Sequence, residues 1–331
     1  MAAGVAGCGG RSGELVARQV AYWREQLADL PAEIVLPVDR PRPAAASHRG
    51  ERVVFTVPAE VHAGVVRLAR ESRSSVFMVL QAALVLLLSR SGAGEDVPIG
   101  TPVAGRGDDA VDDLVGLFIN TLVLRTDVSG DPTFRELVGR VRETDLEAYA
   151  HQDVPSSGWW RSLIRSGRCP ATPLPGHAHV AQSDVVRSQC QHPAPRRTEI
   201  HPGHDVARFD LTFEFAMPDS VLGLRGVLTY AVDVFERGSA ELLVERLVWL
   251  LGVVVGSPDV PVGGVDVLVP GERRRVVEEW NETSVGVAGV SVVGCLRSRW
   301  GGFLGLRLWC VVGCRFRMGS WMRGRIGWRG C

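Results

Sequence analysis

The chain has 331 residues, 46% hydrophobic and 22% charged, a balance that excludes intrinsic disorder and leaves ample length for a buried core. Its 37 basic side chains, all of them arginine, offset 37 acidic ones, so no chain-wide charge favours nucleic acid or an anionic membrane. No run of 18 apolar residues occurs and the N-terminus lacks a charged-then-apolar signal pattern, so the expected address is the cytoplasm.

Residues 13–30 place Leu15, Val16, Val20, Trp23 and Leu27 at helical spacing, which predicts an amphipathic helix. Pro31, Pro37, Pro41 and Pro43 then impose an extended connector. Glu51–Val57 is β-rich and ends at Pro58, a suitable first-turn residue for a helix reaching about Glu71. Ser74 and Ser75 are candidate caps for a second helix, Val76–Ser89, which is apolar nearly all round and must be buried. Ser91-Gly92 stops it. Val97–Val103 and Phe118–Arg125 read as strands, and Pro132–Tyr149 as a helix. Phe209–Phe215 and Leu224–Val232 alternate as half-buried strands, followed by an apolar helix at Ala240–Val255. A linker punctuated by Pro and Gly (257–270) and a short charged helix (Gly271–Trp280) complete the regular part. Without strict βαβ alternation, the order favours an α+β sandwich over a doubly wound sheet.

Three segments differ in composition from the rest. All seven cysteines fall in them: Cys8 near the start, Cys169 and Cys190 in the middle, and Cys295, Cys310, Cys314 and Cys331 in the tail. Six of the nine tryptophans and five of the eight histidines share the middle and tail segments. An uneven cysteine set in a chain expected to be cytosolic is not a disulfide framework.

Few residues suggest chemistry. No phosphate loop, Rossmann fingerprint or G-x-S-x-G nucleophile elbow occurs. His177, His179, Cys190, His192, His201 and His204 are metal-ligand types, but their spacing matches no familiar zinc pattern, and six prolines from Pro170 to Pro202 leave no rigid element to hold them. No metal is expected. His151 beside Asp153 has the composition of a general base, though such a histidine is more often a hydrogen-bonded structural residue. The tail from Ser291 carries eight arginines and no acid, with interleaved aromatics, yet no clean period supports a nucleic-acid or membrane face.

The motifs Tyr22–Pro31 (YWREQLADLP), Leu36–Pro43 (LPVDRPRP), Phe77–Arg90, Ile99–Arg106 (IGTPVAGR), Val115–Arg125 (VGLFINTLVLR) and His151–Pro155 (HQDVP) resemble nonribosomal peptide synthetase condensation domains. The run from Arg208 to Leu251 resembles the family's last strands and last helix, and Val276–Val285 its junction to an adenylation domain. The resemblance implies a chloramphenicol-acetyltransferase-like α/β sandwich, of which this chain supplies an incomplete C-terminal lobe. It implies amide formation between acyl or peptidyl and aminoacyl thioesters. Those substrates ride on the phosphopantetheine of carrier proteins, so no directly bound cofactor is expected. Carrier proteins and neighbouring synthetase domains are the implied partners; nucleic acid and membrane are not. The family's catalytic histidine lies in an H-H-x-x-x-D-G motif on the first lobe, and the 331 residues contain no His-His pair. The chain is therefore expected to lack that lobe, to carry no catalytic residue and to be inactive alone. The family's motif residues carry over onto Asn120, Thr121, Arg125, His151, Gln152 and Asp153, with supporting roles.

The expected organisation is an atypical start (1–12), a crossover helix and connector (13–49), the lobe itself (50–256), a linker toward an adenylation domain (257–290) and an atypical tail (291–331). Residues 1–12, 156–204 and 291–331 read as out-of-frame translation. Tryptophan has the single codon TGG, and Gly158-Trp159-Trp160-Arg161 read from each third base gives Leu, Met or Val, then Val, then Ala or Glu. With suitable codons for Ser156, Ser157 and Gly158 the stretch becomes Glu-Arg-Val-Val-Glu, the continuation expected in the family. A genuine insertion rich in Pro and His is the alternative. If the middle is replaced, a central strand should be lost, a sheet edge left open and solubility impaired. Two further function classes stand beside the inactive fragment. One is a module that docks carriers or complements a separate first lobe; the other is a stand-alone acyltransferase using His151.

Overall fold

The computed structural model describes residues 9–30, 34–106, 113–156, 178–182, 205–216, 223–283, 307–309 and 315–317. The chain divides into two units, Met1–Glu272 and Arg273–Cys331. The metal-type residues of the middle segment lie outside the described residues, apart from the backbone of His179.

In the first unit, helix α1 (Gly9–Gln26) precedes strand β1 (Arg49–Val57), then α2 (Ala59–Glu71), α3 (Val76–Leu88), β2 (Asp96–Val103), β3 (Asn120–Asp127) and α4 (Phe134–Ala150). Strands β4 (Ala178–Gln182), β5 (Asp205–Val206), β6 (Leu211–Ala216) and β7 (Leu224–Ala231) follow, and α5 (Arg237–Gly256) and α6 (Pro270–Val277) close the series. The seven strands form one mixed sheet in the order β3-β2-β4-β6-β7-β1-β5. Helix α3 packs against α2, α4 and α5, α4 against β3, and α5 against β1. This is the expected α+β arrangement, one sheet and one helical layer around a single core.

The core follows from the sequence pattern. Every α3 residue from Phe77 to Leu88 is buried, so its uniformly apolar surface is satisfied by helices on several sides. Ser75 caps it by accepting from the Met78 amide at 3.2 Å. On β1, Val53, Phe55 and Val57 are buried while Val54 is 62% exposed, the alternation of a strand covered on one face. Gly226 of β7 lies opposite both Phe55 and Phe215. A β-carbon there would lie 2.2 Å from Phe55 Cζ, so the missing side chain makes room for the Phe55 ring, which meets Phe215 edge-on at 5.9 Å.

Several expectations are corrected. Helix α1 ends at Gln26 rather than residue 30, because Asp29 turns the chain at φ 56°. Leu15 and Val16 are exposed, whereas Gln19, Trp23 and Leu27 are buried, so the helix docks through its C-terminal half. β3 starts at Asn120, two residues later than expected, because its partner β2 ends at Val103, which pairs with Asn120. Phe118 is instead held beneath Arg106, 4.3 Å from its ring centroid.

The expected loss of a central strand does not occur. Residues 178–182 occupy the middle of the sheet as β4, parallel to β2 at Gly100↔His179 and to β6 from Ala178↔Leu211 to Gln182↔Phe215. Residues 257–270 pack back onto the core of the first unit, with Val262 and Val265 buried. The Val262 amide donates to Pro132 O at 2.8 Å, and Arg135 pairs with Asp259 at 2.7 Å.

The second unit is described by itself. A 3-10 turn at Glu279–Asn281 follows α6, where Asn281 Nδ2 donates to Val276 O and Val277 O and so ends the helix three residues short of the expected Trp280. Strands β8 (Arg307–Trp309) and β9 (Arg315–Arg317) form an antiparallel pair.

Candidate functional site

Five of the six carried-over motif residues, Asn120, Thr121, His151, Gln152 and Asp153, meet where β3 begins and α4 ends. Asn120 is the first residue of β3, at the end of its ladder with β2. His151 is the C-terminal cap of α4, and residues 151–156 turn back beside Asn120.

One asparagine holds that turn. Asn120 Nδ2 donates to Gln152 O at 2.9 Å and Val154 O at 3.0 Å, while its Oδ1 accepts from the Thr121 amide at 2.9 Å and the Ser156 amide at 2.8 Å. Both amide hydrogens and both carbonyl lone pairs are thereby used. With the residue 9% exposed, water is a poor substitute for these partners.

Helix α1 holds the turn from the other side. Gln19, 1% exposed, donates through Nε2 to Asp153 Oδ2 at 2.6 Å and accepts from the Val154 amide at 2.9 Å. Trp23 Nε1 donates to His151 O at 2.9 Å. Tyr22 stacks on the His151 ring, centroids 4.0 Å apart and planes 8° apart. Burial, with Glu147 and Asp145 nearby, pushes the Tyr22 hydroxyl up to about 12, so it stays a neutral phenol.

Arg125 binds the end of the same helix to the sheet. Its Nε and one terminal nitrogen engage Asp96, at 2.9 and 2.6 Å. The other terminal nitrogen donates to Gln26 O at 2.9 Å and Ala28 O at 2.7 Å, the carbonyls left open where α1 stops. The hydrogen bond to Asp96 raises the guanidinium above its ordinary value, so it remains charged.

His151 is held through its Nδ1 nitrogen and by the Tyr22 ring. Its Nδ1 lies 2.8 Å from Glu147 O, and since a carbonyl only accepts, Nδ1 carries the hydrogen. Among the described residues no carboxylate is bonded to the ring. Among the described residues no group of three His, Cys, Asp or Glu side chains is placed to hold a metal.

The structure thus brings five of the six sequence-predicted residues together, with Asn120 bonded to Gln152 O, Asp153 reached through Gln19 and His151 O reached through Trp23, while Arg125 lies five residues further along β3 and ties the end of α1 to Asp96. Sequence reasoning missed Gln19, because a glutamine on an amphipathic helix ordinarily faces water; its spacing of four from Trp23, and eight from Leu27, was the available signal. Just before Asn120, Leu114, Val115, Leu117 and Ile119 are all more than half exposed.

The Condensation domain family profile matches residues 11–277. The chain is 43% identical over 290 residues to a probable non-canonical nonribosomal peptide synthetase of Salinispora arenicola, covering 85% of this chain and 4% of that protein. It is 43% identical over 274 residues to a dimodular nonribosomal peptide synthase of Bacillus subtilis, covering 82% and 12%. Among solved structures, the X-domain in complex with OxyB from teicoplanin biosynthesis superposes with a TM-score of 0.68 at 32% identity, covering 78% of this chain and 58% of that one. A four-domain nonribosomal peptide synthetase bound to AMP and glycine superposes at 0.67, with 24% identity and coverages of 76% and 20%. The chain spans a small part of its curated relatives and little more than half of the X-domain chain. The expected chloramphenicol-acetyltransferase-like α+β fold is the one these neighbours share.

Proposed function

This chain belongs to the condensation-domain family, and we propose that it is the C-terminal lobe of such a domain, contributing the frame but not the histidine of an amide-forming site. In that reading the assembled domain joins an acyl or peptidyl thioester to an aminoacyl amine, both carried on phosphopantetheine arms of carrier proteins. The imidazole that positions or deprotonates the amine comes from an H-H-x-x-x-D-G segment not found in these residues.

The observation that carries the proposal is the use of the six motif residues. Asn120, Arg125 and the turn at 151–156 are engaged in bonds that fix β3, α1 and α4 to one another. Such bonds suit residues that position a face of the fold, which favours a supporting role for them. Thr121 contributes its backbone amide, Gln152 its carbonyl and Asp153 a carboxylate oxygen. Nothing in the geometry favours a stand-alone acyltransferase using His151.

A second reading, a module that docks a carrier or complements a separately encoded first lobe, is favoured by the exposed run Leu114, Val115, Leu117 and Ile119, since a contiguous apolar patch commonly marks an interaction face. Mixing the chain with a separately produced first lobe and two loaded carriers tests both readings. Product that requires both lobes supports the first and the lobe-complementing form of the second. Stable binding of a carrier without product, even when both lobes are present, supports the second.

We also propose that residues 1–12, 156–204 and 291–331 are read out of frame. Strand β4 gives this reading independent support. A central parallel strand ordinarily reads as a continuous apolar run, yet Ala178–Gln182 is spelt AHVAQ. Read from each codon's second base, Gly176 allows Val, His177 and His179 give Met or Thr, and Ala178 and Val180 allow Leu. Of these, Leu-Thr-Leu at residues 178–180 falls within the strand and suits it. Residues 158–161 use the third base instead, so this account requires more than one shift within 156–204. Resequencing the gene tests it: an unchanged reading frame across these codons overturns it.

A further inference from the structure

Outside the network already described, the core contains one acid and one amide that face each other. Gln81 of α3 and Asp145 of α4 are both fully buried, and Gln81 Nε2 donates to Asp145 Oδ1 at 3.0 Å. Each residue has one oxygen left over. Gln81 Oε1 and Asp145 Oδ2 are both buried, and neither has a hydrogen-bond partner. An amide oxygen only accepts, and a carboxylate oxygen only accepts, so an ionised Asp145 leaves two buried acceptors in this pair without a donor. A single proton on Oδ2 removes the conflict by turning it into a donor whose natural acceptor is Oε1.

We propose that Asp145 is a protonated carboxylic acid in the folded chain, closing a two-bond ring with Gln81 that fastens α4 to α3 and opens when the acid ionises. The surroundings suit a neutral acid. From α1, Tyr22 approaches with a buried hydroxyl that has no partner. From α4 itself comes Tyr149, whose phenol is held neutral by burial. From α3 the facing polar group is Gln81. Among the described residues no arginine pairs with Asp145, and an uncompensated buried charge is far costlier than a buried hydrogen-bonded acid. Burial accordingly raises this carboxyl from 3.8 to about 7, with the Gln81 bond opposing the rise. The consequence reaches the motif region, because α4 leads directly into His151 and the turn held by Asn120.

The folded state then holds a proton that the unfolded chain has released. This contribution is fully present below about pH 4 and is lost as the pH rises through about 7, a change of about a thousand-fold in the folding equilibrium from Asp145 alone. The experiment is urea unfolding of the full chain and of Asp145→Asn from pH 4.5 to pH 8.5, with infrared spectra of the folded wild type over the same range. Asparagine keeps both bonds of the ring without a titrating proton. The variant should lose most of the pH dependence seen in the wild type and be the more stable of the two at high pH. The wild type at pH 6, where ordinary carboxyls are ionised, should show a protonated-carboxyl carbonyl band that disappears above pH 8. Equal pH dependence in the two proteins overturns the proposal. If Asp145→Asn does not fold, the infrared band decides, and its absence at pH 6 overturns the proposal as well.

Discussion

Replacing Asn120 is the sharpest test of the frame. Asn120→Ala removes two donated and two accepted hydrogen bonds. The bond to the Thr121 amide is local, so three bonds tie distant backbone: Gln152 O, Val154 O and the Ser156 amide. At about 1 kcal/mol net for each, the expected loss is about 3 kcal/mol, roughly a hundred-fold in the folding equilibrium. Asn120→Asp keeps the shape and the accepted bonds but sets a carboxylate oxygen against two carbonyl oxygens. It should cost at least as much as alanine near neutral pH. Urea unfolding measures both, with an unchanged slope showing that the folded states remain comparable. Amide exchange at Ser156 should accelerate in Asn120→Ala, because its acceptor is gone. A loss below about 0.5 kcal/mol for alanine, or an aspartate variant as stable as wild type, refutes the assignment of Asn120 as the residue that holds the turn.

Other substitutions probe neighbouring bonds. Arg125→Lys retains the charge but not the fork that reaches Asp96, Gln26 O and Ala28 O together, so a loss of about 1–2 kcal/mol in thermal or urea unfolding is expected; stability equal to wild type contradicts the capping of α1. Gln19→Leu keeps the volume but leaves Asp153 and the Val154 amide without their partners, and should speed exchange at Val154 more than at core amides of α3. Gly226→Ala should destabilise by several kcal/mol through overlap with the Phe55 ring. Phe55→Leu in the same chain should recover part of that loss, which strict additivity of the two changes would exclude.

The fold was legible where periodicity is strong. The all-apolar α3, the alternating β1 and β7, and the Ser75 cap are direct readings of residue pattern. Boundaries were less so, because they depend on partners: β3 begins where β2 ends, and α1 stops where Arg125 takes its last carbonyls. Residues 257–270, rich in Pro and Gly, looked like a free linker. Their docking, which buries Val262 and Val265, rests on hydrogen bonds to Asp131 and Pro132 that no local pattern announces. The site residues were found through motif resemblance, but what they do was not, since a hydrogen-bond partner a hundred residues away leaves no mark on spacing. Gln81 was the missed clue. A single amide inside an otherwise unbroken apolar helix needs a partner, and Asp145 is the buried acid opposite.

The most direct measurement of the central claim is product formation by this chain with a donor-loaded and an acceptor-loaded carrier and no other protein, followed by mass spectrometry of the carrier arms. No dipeptidyl thioester should accumulate beyond the uncatalysed rate, and His151→Ala should behave as the wild type. Turnover by the wild type that disappears in His151→Ala contradicts the account, because it places the reacting imidazole within this chain.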